Sequence, residues 1–270
     1  MHQGLTDEHW HVINHMLTYK EYDLLEKYVT QTLKVQDPQL LQLVHIGQAI
    51  LNVDLDRLQR LIGQTPYHKL TKISKVHQRV YFFTQYLQTQ LMRQQYADYF
   101  RALTPVLVDL FRLIVAHDFF PQINDYMIPV VKNTVENKPL YRGLQWNQRK
   151  VEAGDNIIQQ TFKKYYGQSF NYDHYVSSSH LIKLIDDHSH NQALKDKTTK
   201  IRYIEKYLRN IIAHEVVCVD EDWIHHRVDM TIVEIHQLYI DLLIEAGLTQ
   251  AEQWQVFDHL EADIKQHLNN

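Results

Sequence analysis

Residues 209–214 bring together side chains that a metal-free ribonuclease requires, in the order Arg-Asn-Ile-Ile-Ala-His. Cleaving RNA without a metal needs a base for the 2′-hydroxyl, an acid for the leaving 5′-oxygen and positive charge at the phosphorus. Histidine can accept or donate a proton near neutral pH, and arginine meets phosphate with a planar fork of donors. The segment therefore predicts Arg209, Asn210 and His214 as catalytic residues.

A helix through this segment would keep Asn210 and His214 away from the core, with Arg209 about 140° from His214 around the axis. Each residue of an α-helix advances about 100° around the axis. The apolar residues form one stripe, made of Ile201, Ile204, Leu208, Ile211 and Ile212. Asn210 and His214 lie four residues apart on the opposite side, so they are neighbours, and Asn210 can orient or hydrogen-bond His214.

The residues that lead into the hexapeptide predict a local contact with nucleic acid. A net charge of -4 argues against a broad nucleic-acid-binding surface, which would carry clustered Lys and Arg. Residues 195–209, however, hold six Lys and Arg and only two acidic residues. We predict Lys206, Arg202 and Tyr203 as RNA-binding residues. A solvated helix face is the alternative interpretation.

Spacing alone carries little weight, because the chain contains a second Arg-x4-His pair. Arg112 and His117 have the same separation as Arg209 and His214, but Leu113 stands at the position that corresponds to Asn210. This second pair lies in a strongly apolar run. We interpret it as structural.

The 18 histidines raise the alternative of a metal enzyme. Three pairs have ligand-like spacing, namely His11 with His15, His188 with His190, and His225 with His226. None has a third ligand at a persuasive spacing. We expect no metal and no cofactor.

The pattern of apolar residues and turn signals predicts an all-α protein. Apolar positions recur at helical spacing, without the Gly, Asn and Asp turn signals that hairpins require. The predicted helices span residues 7–18, 20–34, 38–51, 53–63, 68–101, 105–118, 121–136, 145–166, 174–188, 196–216, 225–247 and 249–268. Ser177 to Ser179 are predicted to cap a helix, and residues 216–219 to form a helix end or connector rather than a strand.

Residues 136–149 are the predicted boundary between two helical domains, 1–140 and 141–270. Pro139 and Gly143 interrupt the helical pattern there. The longest apolar run contains Asp109 and Arg112, so no membrane span is expected. The first residues lack an export signal, and the lone Cys218 suits a reducing compartment, which predicts a cytoplasmic protein.

The motif Arg209-Asn210-x-x-Ala213-His214 resembles the HEPN superfamily, whose ribonuclease members carry R-N-x-x-x-H near a helix end. More narrowly, the chain resembles the type III-A CRISPR accessory ribonuclease family, which cyclic oligoadenylate activates. Residues 141–270 look like the catalytic HEPN bundle, and 1–140 look like the multi-helix connector domain before it. Residues 95–105 fit that connector.

The resemblance implies a homodimer with a composite active site that cleaves single-stranded RNA and leaves 2′,3′-cyclic phosphates. Family members usually begin with a ring-nucleotide-binding domain of alternating strands and helices, which residues 1–140 do not predict. We therefore expect a fragment or a naturally short relative, and a cyclic oligoadenylate activator only if a separate or missing N-terminal domain is present.

Two other functions stay open. A HEPN toxin neutralised by a nucleotidyltransferase would carry a tyrosine close after the histidine, but the first tyrosine after His214 is Tyr239. A non-catalytic helical interaction module, docking through the connector, is the second alternative.

Overall fold

The computed structural model describes residues 4–63, 65–248 and 255–269, and it confirms a mostly helical protein. The α-helices are α1 (Asp7–Thr18), α2 (Tyr22–Lys27), α3 (Pro38–Leu51), α4 (Leu55–Leu61), α5 (Lys75–Met92), α6 (Tyr96–Asp118), α7 (Gln148–Glu152), α8 (Ile157–Tyr166), α9 (Ser178–His188), α10 (Gln192–Ile204), α11 (Asn210–His214), α12 (Glu221–Val228), α13 (Ile232–Glu245) and α14 (Val256–Asn269). π-helical turns span Tyr28–Thr32 and Glu205–Arg209, and 3₁₀ turns span Pro66–Thr71 and Ile123–Tyr126. No helix in these described ranges is long and apolar enough to cross a membrane.

The chain forms two compact units, Met1–Ala102 with Gln250–Asn270, and Leu103–Thr249. This division differs from the predicted 1–140 and 141–270. Residues 103–140 belong with the second unit, and the C-terminal helix α14 belongs with the first.

The first unit is built around α3, which contacts α2, α4, α5 and α14. Asp37 caps the start of α3 by accepting a hydrogen bond from the backbone N–H of Gln39, and Pro38 occupies the first helical position. Gly47 of α3 lies against the ring of Tyr22, where a Cβ would come within 2.6 Å. The absence of a side chain at Gly47 thus allows α2 and α3 to pack closely.

In the second unit, α9 lies between α8 and α10, and α10 contacts α13. Ser177 caps α9 in a reciprocal capping box with His180, which confirms the predicted cap. Residues 216–219 form an irregular connector after α11, as predicted. These contacts fix the helix that carries the hexapeptide.

A β-hairpin replaces the helix predicted over 121–136 and the start of the one predicted over 145–166. Strands β1 (Met127–Asn133) and β2 (Pro139–Trp146) pair antiparallel, with a bulge between Val130 and Val131. Asn137 closes the turn with a left-handed φ of 58°, a conformation that asparagine tolerates better than most residues. The all-α prediction is wrong for this segment, because β-branched residues and an asparagine turn outweigh the helical spacing of its apolar positions.

Two predicted helices are each divided in two by a left-handed residue. Gln94, with a φ of 57°, separates α5 from the start of α6 within the predicted 68–101. Helix α6 then continues through Pro105 to Asp118, so the predicted break between 68–101 and 105–118 is not formed. Asp229, with a φ of 52°, ends α12, and Thr231 then caps α13 in a capping box with Glu234, within the predicted 225–247. The start of the helix predicted over 249–268 lies outside the described residues, and its remainder is α14.

Candidate functional site

The hexapeptide occupies the end of a continuous helical segment formed by α10, the π-helical turn Glu205–Arg209 and α11. The apolar stripe is confirmed as the inward face: Ile201, Ile204, Leu208 and Ile212 are buried, and Ile211 is partly buried. Helical backbone ends at His214, because Glu215 is extended, with φ -125° and ψ 152°. The motif therefore lies at a helix end.

The three catalytic candidates lie on or near the solvent-accessible side of this helix. Asn210 and His214 are exposed, and Arg209 is half-buried. Arg209 Nη1 donates a hydrogen bond to Asn210 Oδ1 at 3.2 Å. The expected hydrogen bond between Asn210 and His214 is not formed, because Asn210 Oδ1 accepts from Arg209 instead. Within the described part of the chain, the His214 ring makes no hydrogen bond.

A π-helical turn immediately before the motif was not anticipated from the sequence. A single π turn is uncommon in proteins and is frequently found at functional sites. The turn contains Glu205, whose side chain is only 3% exposed. The Glu205 carboxylate accepts hydrogen bonds from Arg202 Nη1 at 2.5 Å and from Ser178 Oγ at 3.0 Å. Glu205 thus ties the π turn to the first turn of α9.

The predicted RNA-binding residues divide into two groups in the structure. Arg202 donates a hydrogen bond to Glu205, so part of its guanidinium is occupied by a contact within the protein. Tyr203 and Lys206 are exposed, and the ring of Tyr203 lies 4.4 Å from the ring of Tyr207. Lys206 Nζ lies 5.2 Å from the centre of the Tyr207 ring. Tyr203, Lys206 and Tyr207 form an exposed aromatic and cationic surface about two to three helical turns before His214.

The second Arg-x4-His pair has the surroundings of structural residues. Arg112 is 5% exposed and donates hydrogen bonds to Asp109 Oδ1 at 2.6 Å and to Asn124 Oδ1 at 2.7 Å. His117 Nδ1 lies 3.0 Å from the carbonyl oxygen of Glu245, and its ring contacts Gly247. Arg112 is thus buried, and His117, although exposed, is hydrogen-bonded to the backbone, whereas His214 is not within the described residues.

None of the three histidine pairs forms a three-ligand metal site within the described ranges. No group of three His, Cys, Asp or Glu side chains there is arranged to hold a metal ion. His188 Nε2 instead lies 2.9 Å from Thr161 Oγ1. His225 lies 3.8 Å from Asp229, and both side chains are exposed.

Comparison with known proteins finds a match over most of the chain. The family model described as the Cas_Csm6 HEPN domain matches residues 69–265. No curated protein matches. Among solved structures, Enterococcus italicus Csm6 bound to cyclic hexa-2'-fluoro-hexa-dAMP aligns with a TM-score of 0.64 at 13% identity, covering 95% of this chain and 56% of that one. At this identity the likeness concerns the fold, and the chain spans little more than half of that relative's length.

Proposed function

Because the chain belongs to the Cas_Csm6 HEPN domain family, we propose that it is a CRISPR-associated endoribonuclease that cleaves single-stranded RNA without a metal ion. The observation that carries the proposal is the position of Arg209 and His214, side chains of complementary chemistry at an accessible helix end. An exposed imidazole without a hydrogen-bonding partner in the described chain is available to a substrate. The half-buried Arg209, five residues earlier on the same helical segment, supplies a positive charge.

The proposed reaction is an attack of the 2′-hydroxyl on the adjacent phosphorus. A neutral histidine removes the hydroxyl proton, the new P–O bond closes the 2′,3′-cyclic phosphate, and the 5′-oxygen leaves with a proton from a protonated histidine. Positioned acid–base groups contribute roughly 10²- to 10⁴-fold each. Arg209 stabilises the additional negative charge on the phosphoryl oxygens, because a guanidinium presents two parallel donors. Asn210 holds the Arg209 fork through the bond between them.

One chain supplies one histidine at this site, whereas the reaction has two proton transfers. We propose that a second copy completes the site across a twofold axis, so that two copies of Arg209 and of His214 face one scissile phosphate. A single chain would then lack either the acid or the base. The functional unit in this proposal is a homodimer.

The surface formed by Tyr203, Lys206 and Tyr207 is proposed to hold the RNA strand beside the cut. Exposed aromatic rings stack on bases with little dependence on sequence, and Lys206 can pair with a phosphate. Arg202 is better described as a positioning residue in this account, because its guanidinium is bonded to Glu205.

We expect control by cyclic oligoadenylate only where a ring-nucleotide-binding domain accompanies this chain. The Enterococcus italicus relative is described in complex with a cyclic hexanucleotide analogue, and this chain covers 56% of that protein. Action on RNA inside a cell, in antiviral defence, places the proposed enzyme in the cytoplasm.

The test is cleavage of an unstructured RNA by the wild type, Arg209→Ala and His214→Ala, with and without a chelator. The proposal predicts that each substitution lowers the rate at least about 100-fold and that the chelator leaves the wild-type rate unchanged. His117→Ala is the matched control, since it removes a histidine at the same spacing from an arginine. Cleavage that survives in His214→Ala, or that stops in chelator, contradicts the proposal.

A further inference from the structure

A second feature of the Leu103–Thr249 unit has the chemistry of a binding site. A pocket of about 440 Å³ opens between α7, α8 and the segment that follows α8. Its lining comprises Gln148, Glu152, Gln159, Phe162, Lys163, Gly167, Gln168, Phe170 and Tyr172. The volume falls within the range of small-molecule sites, about 300–1,000 Å³. No residue of the hexapeptide lines it.

One wall of the pocket is aromatic and preformed. Phe162 and Phe170 stack with their ring centres 4.0 Å apart, and Tyr172 meets Phe170 edge to face at 4.9 Å. Gly167, with a φ of 63° at the end of α8, lets the chain reverse so that Phe170 returns onto Phe162. Phe162 is almost fully buried, whereas Phe170 and Tyr172 are partly exposed. A planar ligand can stack there without rearranging the core.

The polar groups of the pocket suit a nucleobase and its phosphate. The side-chain amides of Gln159 and Gln168 make no hydrogen bond within the described chain, so each offers a donor and an acceptor to the edge of a base. Glu152 accepts hydrogen bonds from Gln148 and has further lone pairs for an N–H donor. Lys163 is exposed at the pocket and can pair with a phosphate.

The first turn of α9 contacts both the pocket wall and the π turn before the proposed active site. The ring of His180, in the first turn of α9, lies 5.3 Å from Phe170 and 5.9 Å from Phe162. Two residues earlier, Ser178 bonds to Glu205 in the π turn that precedes Arg209. The pocket wall and the motif are thus held by the same turn of α9.

We propose that this pocket binds one nucleotide of the single-stranded RNA substrate, away from the scissile phosphate. The base stacks on Phe170 and Tyr172, the amides of Gln159 and Gln168 bond its edge, and Lys163 holds the adjoining phosphate. This inference rests on the proposed function for its choice of RNA as ligand. It adds a second anchoring point, which would make a longer strand a better substrate than a short one.

The test measures RNA binding in a protein that cannot cut. His214→Ala full chain is titrated against a fluorescently labelled unstructured RNA of mixed sequence, and the dissociation constant is read from anisotropy. Adding Tyr172→Ala should weaken binding roughly 10-fold, in line with the effect of removing one base-stacking ring. Tyr172→Phe keeps the ring and should bind like the His214→Ala parent.

Lys163→Ala provides an independent variant that removes no aromatic packing. It should weaken binding about 3-fold or more, while Lys150→Ala, the loss of an exposed lysine on neighbouring α7 that does not line the pocket, should have a smaller effect. If Tyr172→Ala does not fold, Lys163→Ala and Gln159→Ala still decide the matter. Binding within about 2-fold of the parent for all folded pocket variants overturns the proposal.

The source of the nucleotide is tested by competition with AMP. The proposal predicts that AMP displaces the RNA only weakly, because a free nucleotide lacks the rest of the strand. AMP binding as tight as the RNA, with the same dependence on Tyr172, would make the pocket a free-nucleotide site and contradict the assignment. The outcome for the pocket can be distinguished from the outcome for catalysis. If Tyr172→Ala cuts RNA at the normal rate with an unchanged KM, the pocket proposal is refuted and the proposed catalysis is not. If the chain binds RNA through Tyr172 but never cuts it, the proposed catalysis is refuted and the pocket proposal is not.

Discussion

Ser178 donates its hydroxyl to the buried carboxylate of Glu205 at 3.0 Å, and this bond joins the start of α9 to the π-helical turn that precedes the candidate catalytic residues. Arg202 holds the same carboxylate at 2.5 Å. Three residues on two helices therefore fix the backbone four residues before Arg209. The geometry of the site depends on a carboxylate that does not face solvent.

Glu205→Ala should lower both stability and cleavage. The substitution leaves the buried Ser178 hydroxyl without this acceptor and frees the Arg202 guanidinium, so we expect a loss of about 2 kcal/mol in the free energy of unfolding. We also expect cleavage to fall at least about 10-fold, because a relaxed π turn misplaces Arg209 and His214. Denaturant unfolding and RNA cleavage measure the two effects.

Glu205→Gln is the control for this prediction, since it retains an acceptor for Ser178 and the side-chain volume. It should lose less stability than Glu205→Ala. Cleavage that is unchanged in folded Glu205→Ala would show that the π turn does not position the motif.

Arg209→Ala and Arg112→Ala should separate chemistry from stability. Arg209 is half-buried and its only described side-chain bond is to Asn210, so its removal should change the free energy of unfolding by less than about 1 kcal/mol while cleavage is lost. Arg112 is buried against Asp109 and Asn124, so Arg112→Ala should cost about 3 kcal/mol.

Thermal or denaturant unfolding, run beside RNA cleavage for both variants, checks this contrast. A large loss of stability in Arg209→Ala would indicate that this arginine is also structural, contrary to our interpretation of the two Arg-x4-His pairs.

Local sequence patterns were sufficient for the helical stripe and insufficient for the side-chain pairing at its end. The buried positions Ile201, Ile204, Leu208 and Ile212 follow from a period of 3.6 residues, which requires only local backbone geometry. The pairing of Asn210 with Arg209 could not be predicted, because two neighbouring side chains compete for one amide. Glu205 was missed because its burial depends on Ser178, 27 residues earlier in the sequence.

The hairpin of β1 and β2 escaped prediction for a different reason. The apolar residues of 127–131 are compatible with either period, and the turn is closed by Asn137 without the Asn-Gly pair that marks most short hairpins. Its base is anchored by Trp146, which is 1% exposed and donates a hydrogen bond to His180 on α9. Such a contact between distant segments is not visible in a local window.

Stability should fall in acid partly because of His180. Burial lowers the pKa of His180 to about 4, and its Nδ1 accepts hydrogen bonds from Trp146 and from the backbone N–H of Ser177. The unfolded chain binds this proton below about pH 6.5 whereas the folded chain does not. The free energy of unfolding therefore decreases as pH falls from about 6.5 to about 4, by up to about 3 kcal/mol from this residue.

Denaturant unfolding between about pH 7 and about pH 4 measures this effect, with His180→Gln as the comparison. The amide oxygen introduced by His180→Gln can still accept from Trp146 but does not titrate, so the variant should lose less stability over the same interval. Parallel pH profiles for the two proteins would show that His180 is not responsible.

Mixing wild type with His214→Ala should reveal whether two copies share one site. If a dimer needs His214 from both chains, activity falls with the square of the wild-type fraction, because only wild-type pairs are complete. If each chain acts alone, activity falls in direct proportion to that fraction. Cleavage measured across a series of mixtures, after exchange of subunits, distinguishes the two dependences.

The most direct test of the account is cleavage of an RNA that carries a single 2′-deoxy nucleotide at the scissile position. We predict that cutting at this bond stops while the neighbouring bonds are still cut, and that the unmodified RNA yields 2′,3′-cyclic phosphate ends in the presence of chelator. Undiminished cutting at the deoxy position would contradict an attack by the 2′-hydroxyl, and with it the roles proposed for Arg209 and His214.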